Sequence, residues 1–198
     1  HKINVIHNGI NLNRFKLKKI NYSCDLKIVT LSALEKRKRI QNVILALREI
    51  KNLNYTFHVY GDGPYKKNIE SLIKQQKLQK NVKLKGITNN PENIYCDYDI
   101  FILISKGEAF PIAPIEAMSC GLSLIVSNEE PFAEIVTQGC GIQIDPKNQQ
   151  QIIDSILSLR DNKKRKKLGI SARSKVQRNF SDTAMRDMYI KLIFKKFI

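Results

Sequence analysis

The fold class is decided by residues Asp99–Gly121, which read DIFILISKGEAFPIAPIEAMSCG. The apolar run Ile100–Ile104 predicts a buried strand, and a loop carrying Glu108 follows it. Prolines suit the first turn of a helix and glycine suits its C-terminal stop, so the prolines at 111 and 114 and Gly121 bound a predicted helix. The next apolar run begins at once, which predicts a strand–helix–strand unit.

Strand and helix patterns alternate along most of the chain. Further strands are predicted at Ile3–Ile6, Leu26–Leu31, Thr56–Tyr60, Val82–Leu84 and Leu122–Val126. Helical periodicity covers Ile40–Ile50 and Ile69–Ile73, and the chain is predicted to finish as helices over Gln149–Leu159, Lys163–Asn179 and Ser181 to the end. This alternation predicts an α/β fold with a doubly wound parallel sheet and C-terminal helices. Such sheets bind ligands at the carboxyl ends of their strands.

Length and charge narrow the class of protein. The 198 residues are 42% hydrophobic, which is enough to bury one core and excludes a disordered tail. No apolar stretch is long enough to span a membrane, and the start lacks the apolar core of a signal peptide. The net charge is +16, with nine cations in the run Arg160–Arg178. A solvated face, an anionic ligand or an anionic bilayer would each explain that run, whereas no motif supports nucleic-acid binding.

The four cysteines are sparse and show no metal-ligand spacing. Cys24, Cys96, Cys120 and Cys140 form no C-x-x-C pair, and no histidine cluster accompanies them. They are predicted to be reduced, mostly buried thiols of a cytoplasmic protein.

Two carboxylates flank the predicted start of the helix in Asp99–Gly121. A helix N-terminus at the crevice favours an anion such as a diphosphate, while Glu108 and Glu116 can accept hydrogen bonds from sugar hydroxyls. The alternative is that Glu108 is an ordinary loop residue and Glu116 an exposed helical one. Likewise, Lys36–Arg39 follows a predicted strand and so lies at the crevice, or is simply an exposed basic loop.

Taken together, these motifs resemble those of a known family. Glu108 and Glu116 with their flanking residues resemble the Glu-x7-Glu signature of retaining glycosyltransferases of the two-Rossmann, GT-B type, a large family that includes bacterial polysaccharide and lipopolysaccharide transferases. Further matches follow in family order at Val5–Ile10, Leu34–Arg39, Tyr60–Pro64, Leu84–Gly86, Pro131–Val136 and Phe180–Ile198. The resemblance covers nearly all of the chain and implies the donor-binding, Rossmann-like half of such an enzyme.

The resemblance also implies roles for individual residues. Glu108 would be catalytic, facing the donor sugar as positive charge develops at its anomeric carbon, and Glu116 would bind the ribose hydroxyls. Lys38 would supply charge to the leaving phosphate, assisted by Arg37 or Arg39, with no metal or other cofactor. The remaining predicted donor contacts come from the backbone: Phe110, Pro111 and Ile112 at the diphosphate, and Gly86 and Ile87 at the base.

Three positions depart from the family pattern. Ala33 replaces an arginine that usually accompanies the phosphate-binding lysine, and neighbouring Arg37 or Arg39 would compensate. Pro111 offers no N–H where the family often has glycine. Asn11 stands where aspartate is common.

The predicted organisation is a nucleotide-sugar-binding domain over residues 1–180 and a closing helix over 181–198 that packs on an N-terminal, acceptor-binding domain. The expected function is sugar transfer from a nucleotide-sugar donor, UDP-linked, to a glycan or lipid-linked acceptor in cell-surface polysaccharide synthesis, with the isolated chain inactive or weakly active. Expected partners are that donor, that acceptor and an anionic membrane surface, with no nucleic acid; the expected location is cytoplasmic, peripheral at the inner face of the membrane. Two alternatives stay open, a sugar-nucleotide epimerase of related fold and a non-catalytic anion-binding module.

Overall fold

The computed structural model describes residues 3–17 and 25–194 and contains one six-stranded sheet. The strands are β1 (Leu26–Leu31), β2 (Tyr55–Tyr60), β3 (Val82–Gly86), β4 (Ile100–Leu103), β5 (Ser123–Ser127) and β6 (Ile142–Ile144). The helices are α1 (Ile40–Glu49), α2 (Lys66–Gln75), α3 (Pro91–Tyr95), α4 (Ile112–Ser119), α5 (Phe132–Ile135), α6 (Gln149–Ser158), α7 (Asn162–Asn179) and α8 (Asp182–Phe194), with a 3-10 turn at Lys36–Lys38. All pairings are parallel, in the order β3-β2-β1-β4-β5-β6, which confirms the predicted Rossmann-like fold.

Helices cover both faces of the sheet because its strands are apolar on both sides. In β4, Ile100 and Ile102 pack towards α1, α2 and α6, while Phe101 and Leu103 pack towards α4, α5 and α7. Helices α1 and α6 contact each other on the first face, and α4 and α7 contact each other on the second. Strands β4 and β5 are therefore fully buried, as their near-continuous apolar sequence predicted.

Helix α4 ends as the sequence predicted, with Gly121 in the left-handed conformation at φ +80°. The N–H of Gly121 donates to the carbonyl of Met118 at 3.0 Å, and that of Leu122 donates to Ala117 at 3.1 Å. This is the Schellman pattern, in which a glycine satisfies the last helical carbonyls. It returns the chain directly into β5, so the unit from β4 to β5 is tightly closed.

The sequence predicted a first strand that the structure does not contain, and it missed the last strand of the sheet. Residues 3–9 form no strand; Ile3 and Val5 are 89% and 69% exposed, and the first sheet-like contact is an isolated bridge between Ile10 and Ser181. The prediction at Ile3–Ile6 was wrong because an apolar run becomes a strand only beside a free sheet edge, and this segment lies along α8 instead. Conversely, β6 was missed because three residues are too few to show a period.

Helix α7 contains most of the basic run, and all of its cations except Arg178 separate into two groups. Three of them donate to carbonyls near the C-terminal ends of other helices: Arg165 to Leu159, Arg173 to Ser119 and Lys175 to Glu134. These contacts place positive charge where the helix dipole is negative, which stabilises the packing of α7 on its neighbours. The second group, termed here the lysine patch, consists of the exposed Lys163, Lys164, Lys166 and Lys167 in the first half of α7.

The structure also shows where the cysteines lie and whether any described helix could cross a membrane. Cys120 and Cys140 are buried free thiols and Cys96 is exposed, while Cys24 lies outside the described residues. None of the helices in the described ranges has the length and apolar character needed to cross a membrane.

The lysine patch opposes the dipole of α7, so reversing one of its charges should stabilise the domain. Lys164→Glu is expected to raise the thermal midpoint by roughly 1–4 °C, because an acidic side chain in the first turn faces the positive end of the helix. The matched control is Lys74→Glu in the last turn of α2, which changes the net charge equally but places it at the negative end. The midpoint of that variant should fall, and equal shifts in both variants would contradict the dipole argument.

Candidate functional site

The site lies between the loops that follow β1 and β4. These strands are neighbours in the sheet, but the chain leaves β1 for one face and β4 for the other. This is the topological switch point, at which doubly wound sheets leave a crevice. The loop after β1 contains Lys36–Arg39, and the loop after β4 contains Glu108.

The loop after β1 is braced by the Gly-Asp-Gly turn after β2. The N–H of Leu34 donates to Asp62 at 2.9 Å, and the N–H of Tyr65 donates to Leu34 at 2.8 Å. Gly61 adopts φ +134°, and a Cβ there would collide with the carbonyl of Ser32. Only glycine permits this approach, so the turn that resembled a family motif holds the basic loop in place.

Lys38 and Glu108 form a buried ion pair across the switch point. The Nζ of Lys38 lies 2.5 Å from Oε1 of Glu108, and each side chain is about 10% exposed. The two loops are also joined through their backbones, since the N–H of Lys106 donates to the carbonyl of Arg37 at 3.0 Å. The structure thus brings together two residues that the sequence had placed in separate motifs.

The environment of Glu108 favours its charged form. Burial by itself raises the pKa of this carboxyl, but the hydrogen bond from Lys38 and the charges of Lys38 and Arg37 outweigh burial and lower its pKa overall. Glu108 is therefore a carboxylate at neutral pH, able to stabilise positive charge and to accept hydrogen bonds but unable to donate a proton.

The two arginines beside Lys38 point to different places. The Nη1 of Arg37 lies 3.6 Å from Oε1 of Glu108, and this arginine also pairs with Glu35 at 2.5 Å. Arg39 adopts φ +55° and directs Nη1 to Glu129 in the loop after β5, at 3.3 Å. Of the two candidates to replace the missing arginine at position 33, only Arg37 shares the Lys38–Glu108 pair.

Helix α4 begins beside this pair. Pro111 is its N-cap, and Ile112 is its first residue. Because Pro111 and Pro114 carry no N–H, the first turn offers the N–H groups of Ile112 and Ala113 as donors without intrahelical partners. Phe110 is half-buried, and its ring packs in the core with Phe180 at 6.1 Å between centroids. The side chain of Phe110 therefore faces inward, which leaves the backbone for an anion.

Glu116 lies in α4 under different electrostatic conditions. Its Oε2 accepts a hydrogen bond from Oη of Tyr95 at 2.9 Å, and the ring of Tyr95 is fully buried. Burial raises the pKa of Glu116, and the hydrogen bond from Tyr95 and the charge of Arg14 only partly oppose this effect. No sequence pattern indicated Tyr95, because its contact with Glu116 joins two helices whose relative position only the fold defines.

The predicted base contact lies at the end of β3. Gly86 adopts φ +73° with open space where a side chain would be, and the following Ile87 is 75% exposed. The carbonyl of Gly86 accepts the N–H of Gly61 at 2.8 Å, which ties this end to the Gly-Asp-Gly turn. Helix α3 follows, and its last residue is the Tyr95 that contacts Glu116.

The departure at Asn11 is structurally conservative. Its Oδ1 accepts hydrogen bonds from the N–H groups of Asn13 and Arg14 at 2.9 and 3.1 Å, a turn that the aspartate common at this position would also make.

Within residues 3–17 and 25–194, no group of three or more histidine, cysteine or acidic side chains is placed to hold a metal ion. That the site works without a metal stays a prediction.

Comparisons with known proteins agree with this fold. Residues 13–175 match the family described as Glycosyl transferases group 1. The O-antigen biosynthesis glycosyltransferase WclY of Escherichia coli is 32% identical over 170 residues, which are 82% of this chain and 47% of WclY. The crystal structure of HepE from Anabaena in complex with UDP and glucose aligns with a TM-score of 0.86 at 20% identity, over 96% of this chain and 56% of that chain.

A third similar structure is that of a single domain. The crystal structure of the C-terminal domain of LpcC, a glycosyl transferase group 1 family protein from Francisella tularensis, is matched over 100% of its length and 88% of this chain, with a TM-score of 0.78 at 23% identity. This chain spans about half the length of the curated relatives it matches. The family match over most of the chain, with the sheet topology and the similarity to WclY, shows that the protein belongs to the group 1 glycosyltransferases and has the Rossmann-like fold of GT-B enzymes.

Proposed function

We propose that this chain is the donor-binding part of a retaining glycosyltransferase that uses a UDP-sugar in cell-surface polysaccharide synthesis. The observation that carries the proposal is the ion pair between Lys38 and Glu108 at the switch point of the sheet. It supplies a cation for the diphosphate and a carboxylate for the sugar from adjacent loops, as transfer from a nucleotide-sugar requires.

The diphosphate is placed between the basic loop and the start of α4. Lys38 and Arg37 provide positive charge, and the N–H groups of Ile112 and Ala113 provide donors at the positive end of the helix. In transfer, the bond between the anomeric carbon and the diphosphate oxygen breaks, and its electron pair goes to that oxygen. The cations and N–H groups stabilise the leaving group most when this negative charge develops.

The two carboxylates have different tasks. Glu108 is charged and lies beside the cations, so it can stabilise the positive charge on the anomeric carbon while that carbon bonds to the acceptor oxygen. The proton of the acceptor hydroxyl passes to the leaving diphosphate oxygen, which has received the electron pair. Glu116 lies further along α4, beside α3, where it can accept hydrogen bonds from the ribose hydroxyls. Gly86 and Ile87, at the end of β3, would contact the base through their backbones.

The finer parts of the proposal draw on the relatives. HepE was crystallised with UDP, and WclY is named for O-antigen biosynthesis, which supports a uridine nucleotide and a glycan or lipid-linked acceptor. Family membership favours sugar transfer over the epimerase and over the non-catalytic module. The lysine patch is the exposed surface available for the predicted contact with an anionic membrane at the inner face, and that contact stays a prediction.

Helix α8 supports the proposed division at residue 180. None of its residues is buried, and Tyr189, Ile190, Ile193 and Phe194 are exposed large apolar residues. Exposed apolar surface of this extent on one helix is typical of an interface. We propose that α8 packs on an acceptor-binding domain, as the closing helix of the family would.

The chain is expected to bind UDP but to transfer sugar slowly or not at all, because acceptor binding belongs to the proposed second domain. Calorimetry with UDP, GDP and ADP tests binding, and chromatography of products from UDP-sugars tests turnover. Efficient transfer by the 198 residues alone would contradict the division into domains. A changed free donor sugar without transfer would indicate an epimerase instead.

Replacing Lys38 should weaken binding of the diphosphate selectively. Lys38→Gln is expected to raise the Kd for UDP by roughly 10- to 100-fold, the usual effect of losing a hydrogen bond to a charged group. The affinity for uridine should not change. The control is Lys36→Gln, an exposed lysine of the same loop, which lowers the net charge equally and should alter the Kd by less than about twofold. Equal effects of both variants would indicate general electrostatic attraction rather than a site.

The role of Glu116 predicts a pH dependence. Its pKa is raised above the ordinary 4.5, so the carboxylate that accepts ribose hydroxyls forms only as the pH rises past that raised value. The ratio of the Kd of Glu116→Gln to that of the unaltered chain should be lower at about pH 4.5, where more than half of the carboxyl is protonated, than at about pH 7.5, where it should approach tenfold. Taking this ratio removes the titration of UDP itself. A ratio that does not change with pH would exclude Glu116 from the ribose site.

A further inference from the structure

His7 lies outside every role assigned above, yet its ring contacts the loop that begins α4. The imidazole stacks on the ring of Phe110 with 5.3 Å between centroids and an angle of 6° between planes. It also meets the ring of Phe180 edge-on at 5.6 Å, and its Nε2 lies 2.7 Å from Oε1 of Glu134 in α5. One side chain therefore joins the start of α4, α5 and the junction of α7 with α8.

The backbone that carries His7 is fixed just after it. The N–H of Ile10 donates to Phe180 at 2.9 Å, and the N–H of Asp182 donates back to Ile10 at 3.0 Å. A Cβ on Gly9 would collide with the carbonyl of Ser181, so segment 8–10 lies against the start of α8 without space for movement. The position of the His7 ring is consequently tied to the position of α8.

Glu134 fixes the orientation of the imidazole. The backbone carbonyl of Glu134 accepts a hydrogen bond from Nζ of Lys175 at 2.5 Å, and that ammonium lies 5.8 Å from the centroid of the Phe180 ring. The partner of His7 is thus itself held by α7. The His7 ring therefore stacks on Phe110 in one fixed orientation. A contact that positions another residue requires such a fixed orientation.

The loop after β4 needs such support on this side. Gly107 has φ +69° and no neighbour where a Cβ would be, so the loop is open at its centre. Lys106 and Glu108, on either side of Gly107, are held from the β1 side by Arg37 and Lys38. The second half of the loop has Phe110, whose ring contacts are with His7 and Phe180 on the opposite side.

We propose that His7 is a positioning residue that holds Phe110, and through it the N–H groups at the start of α4, in the arrangement that binds the donor diphosphate. The inference rests on the proposed function, because it concerns the same diphosphate. In this proposal segment 3–10 and α8 form a single unit, and that unit contacts the donor site through the ring of His7. Movement of that unit changes the stack and hence the affinity for donor.

The test combines three variants with one spectroscopic measurement. His7→Ala is expected to raise the Kd for UDP roughly three- to tenfold, the range of an aromatic pair, with no change for uridine. His7→Phe keeps a flat ring on Phe110 and should retain most of the affinity. The matched control is His58→Ala, which removes an edge-on contact with Tyr98 at 5.6 Å and should leave the Kd unchanged.

The chain has only three histidines, so their ring resonances can be assigned by substitution. The His7 signals are expected to shift during a UDP titration with the Kd found by calorimetry, while those of His58 stay constant. A structural role alone would lower the thermal midpoint of His7→Ala but would leave the UDP affinity and the His7 signals unchanged, which would overturn this inference only. Absence of UDP binding by the unaltered chain would overturn the proposed function and this inference together.

Discussion

The ion pair between Lys38 and Glu108 is the constraint on which the site depends. Burying two charges carries a desolvation penalty that their attraction offsets only when the geometry is accurate. Here accuracy comes from the sheet, because β1 and β4 are adjacent parallel strands and release their loops at the same edge. The close approach at Gly61 and the backbone hydrogen bond from Lys106 to Arg37 then fix those loops. The pair therefore positions a cation and a carboxylate in the crevice before any ligand arrives.

The distribution of positive charge shows why net charge alone is a poor guide to the ligand. The basic run Arg160–Arg178 looks uniform in sequence, but Arg165, Arg173 and Lys175 turn inward and neutralise the negative ends of other helices. These three cations hold α7 against the core, and they are not available to a ligand. The exposed cations of the run that remain for a partner are the lysine patch, Arg160 and Arg178. The cation proposed for the donor, Lys38, comes from the loop after β1 instead.

The sequence predicted the fold well wherever a pattern was both long and local. The βαβ unit Asp99–Gly121 carried its own strand, caps and stop signal, and parallel topology followed from alternation. The prediction from sequence failed at Ile3–Ile6, whose apolar residues lie beside a helix rather than a strand. It also failed at β6, which is too short to show a period. The sequence also predicted that Lys36–Arg39 and Glu108 lie at one edge of the sheet, and the structure places them there because the strand ends of a parallel sheet meet at one edge.

The contacts that orient the site could not be predicted in the same way. Arg39 follows Lys38 directly but turns to Glu129, because its left-handed backbone points it away from the ion pair. The contacts of Tyr95 with Glu116 and of His7 with Phe110 join segments far apart in sequence. No local period encodes such pairs, since each depends on how two elements are packed.

The two glutamates show what the structure adds to a motif. Glu108 and Glu116 are the same residue type in one short segment, and their spacing alone assigns them no separate roles. Glu108 meets two cations, which lower its pKa despite burial, whereas Glu116 lies beside a buried phenol, and burial raises its pKa. A carboxylate held charged beside cations suits the reacting end of a donor, where charge changes. Glu116, which has fewer cations beside it, suits hydrogen bonds from neutral hydroxyl groups. The difference in environment therefore supports separate roles for the two residues, Glu108 at the sugar and Glu116 at the ribose.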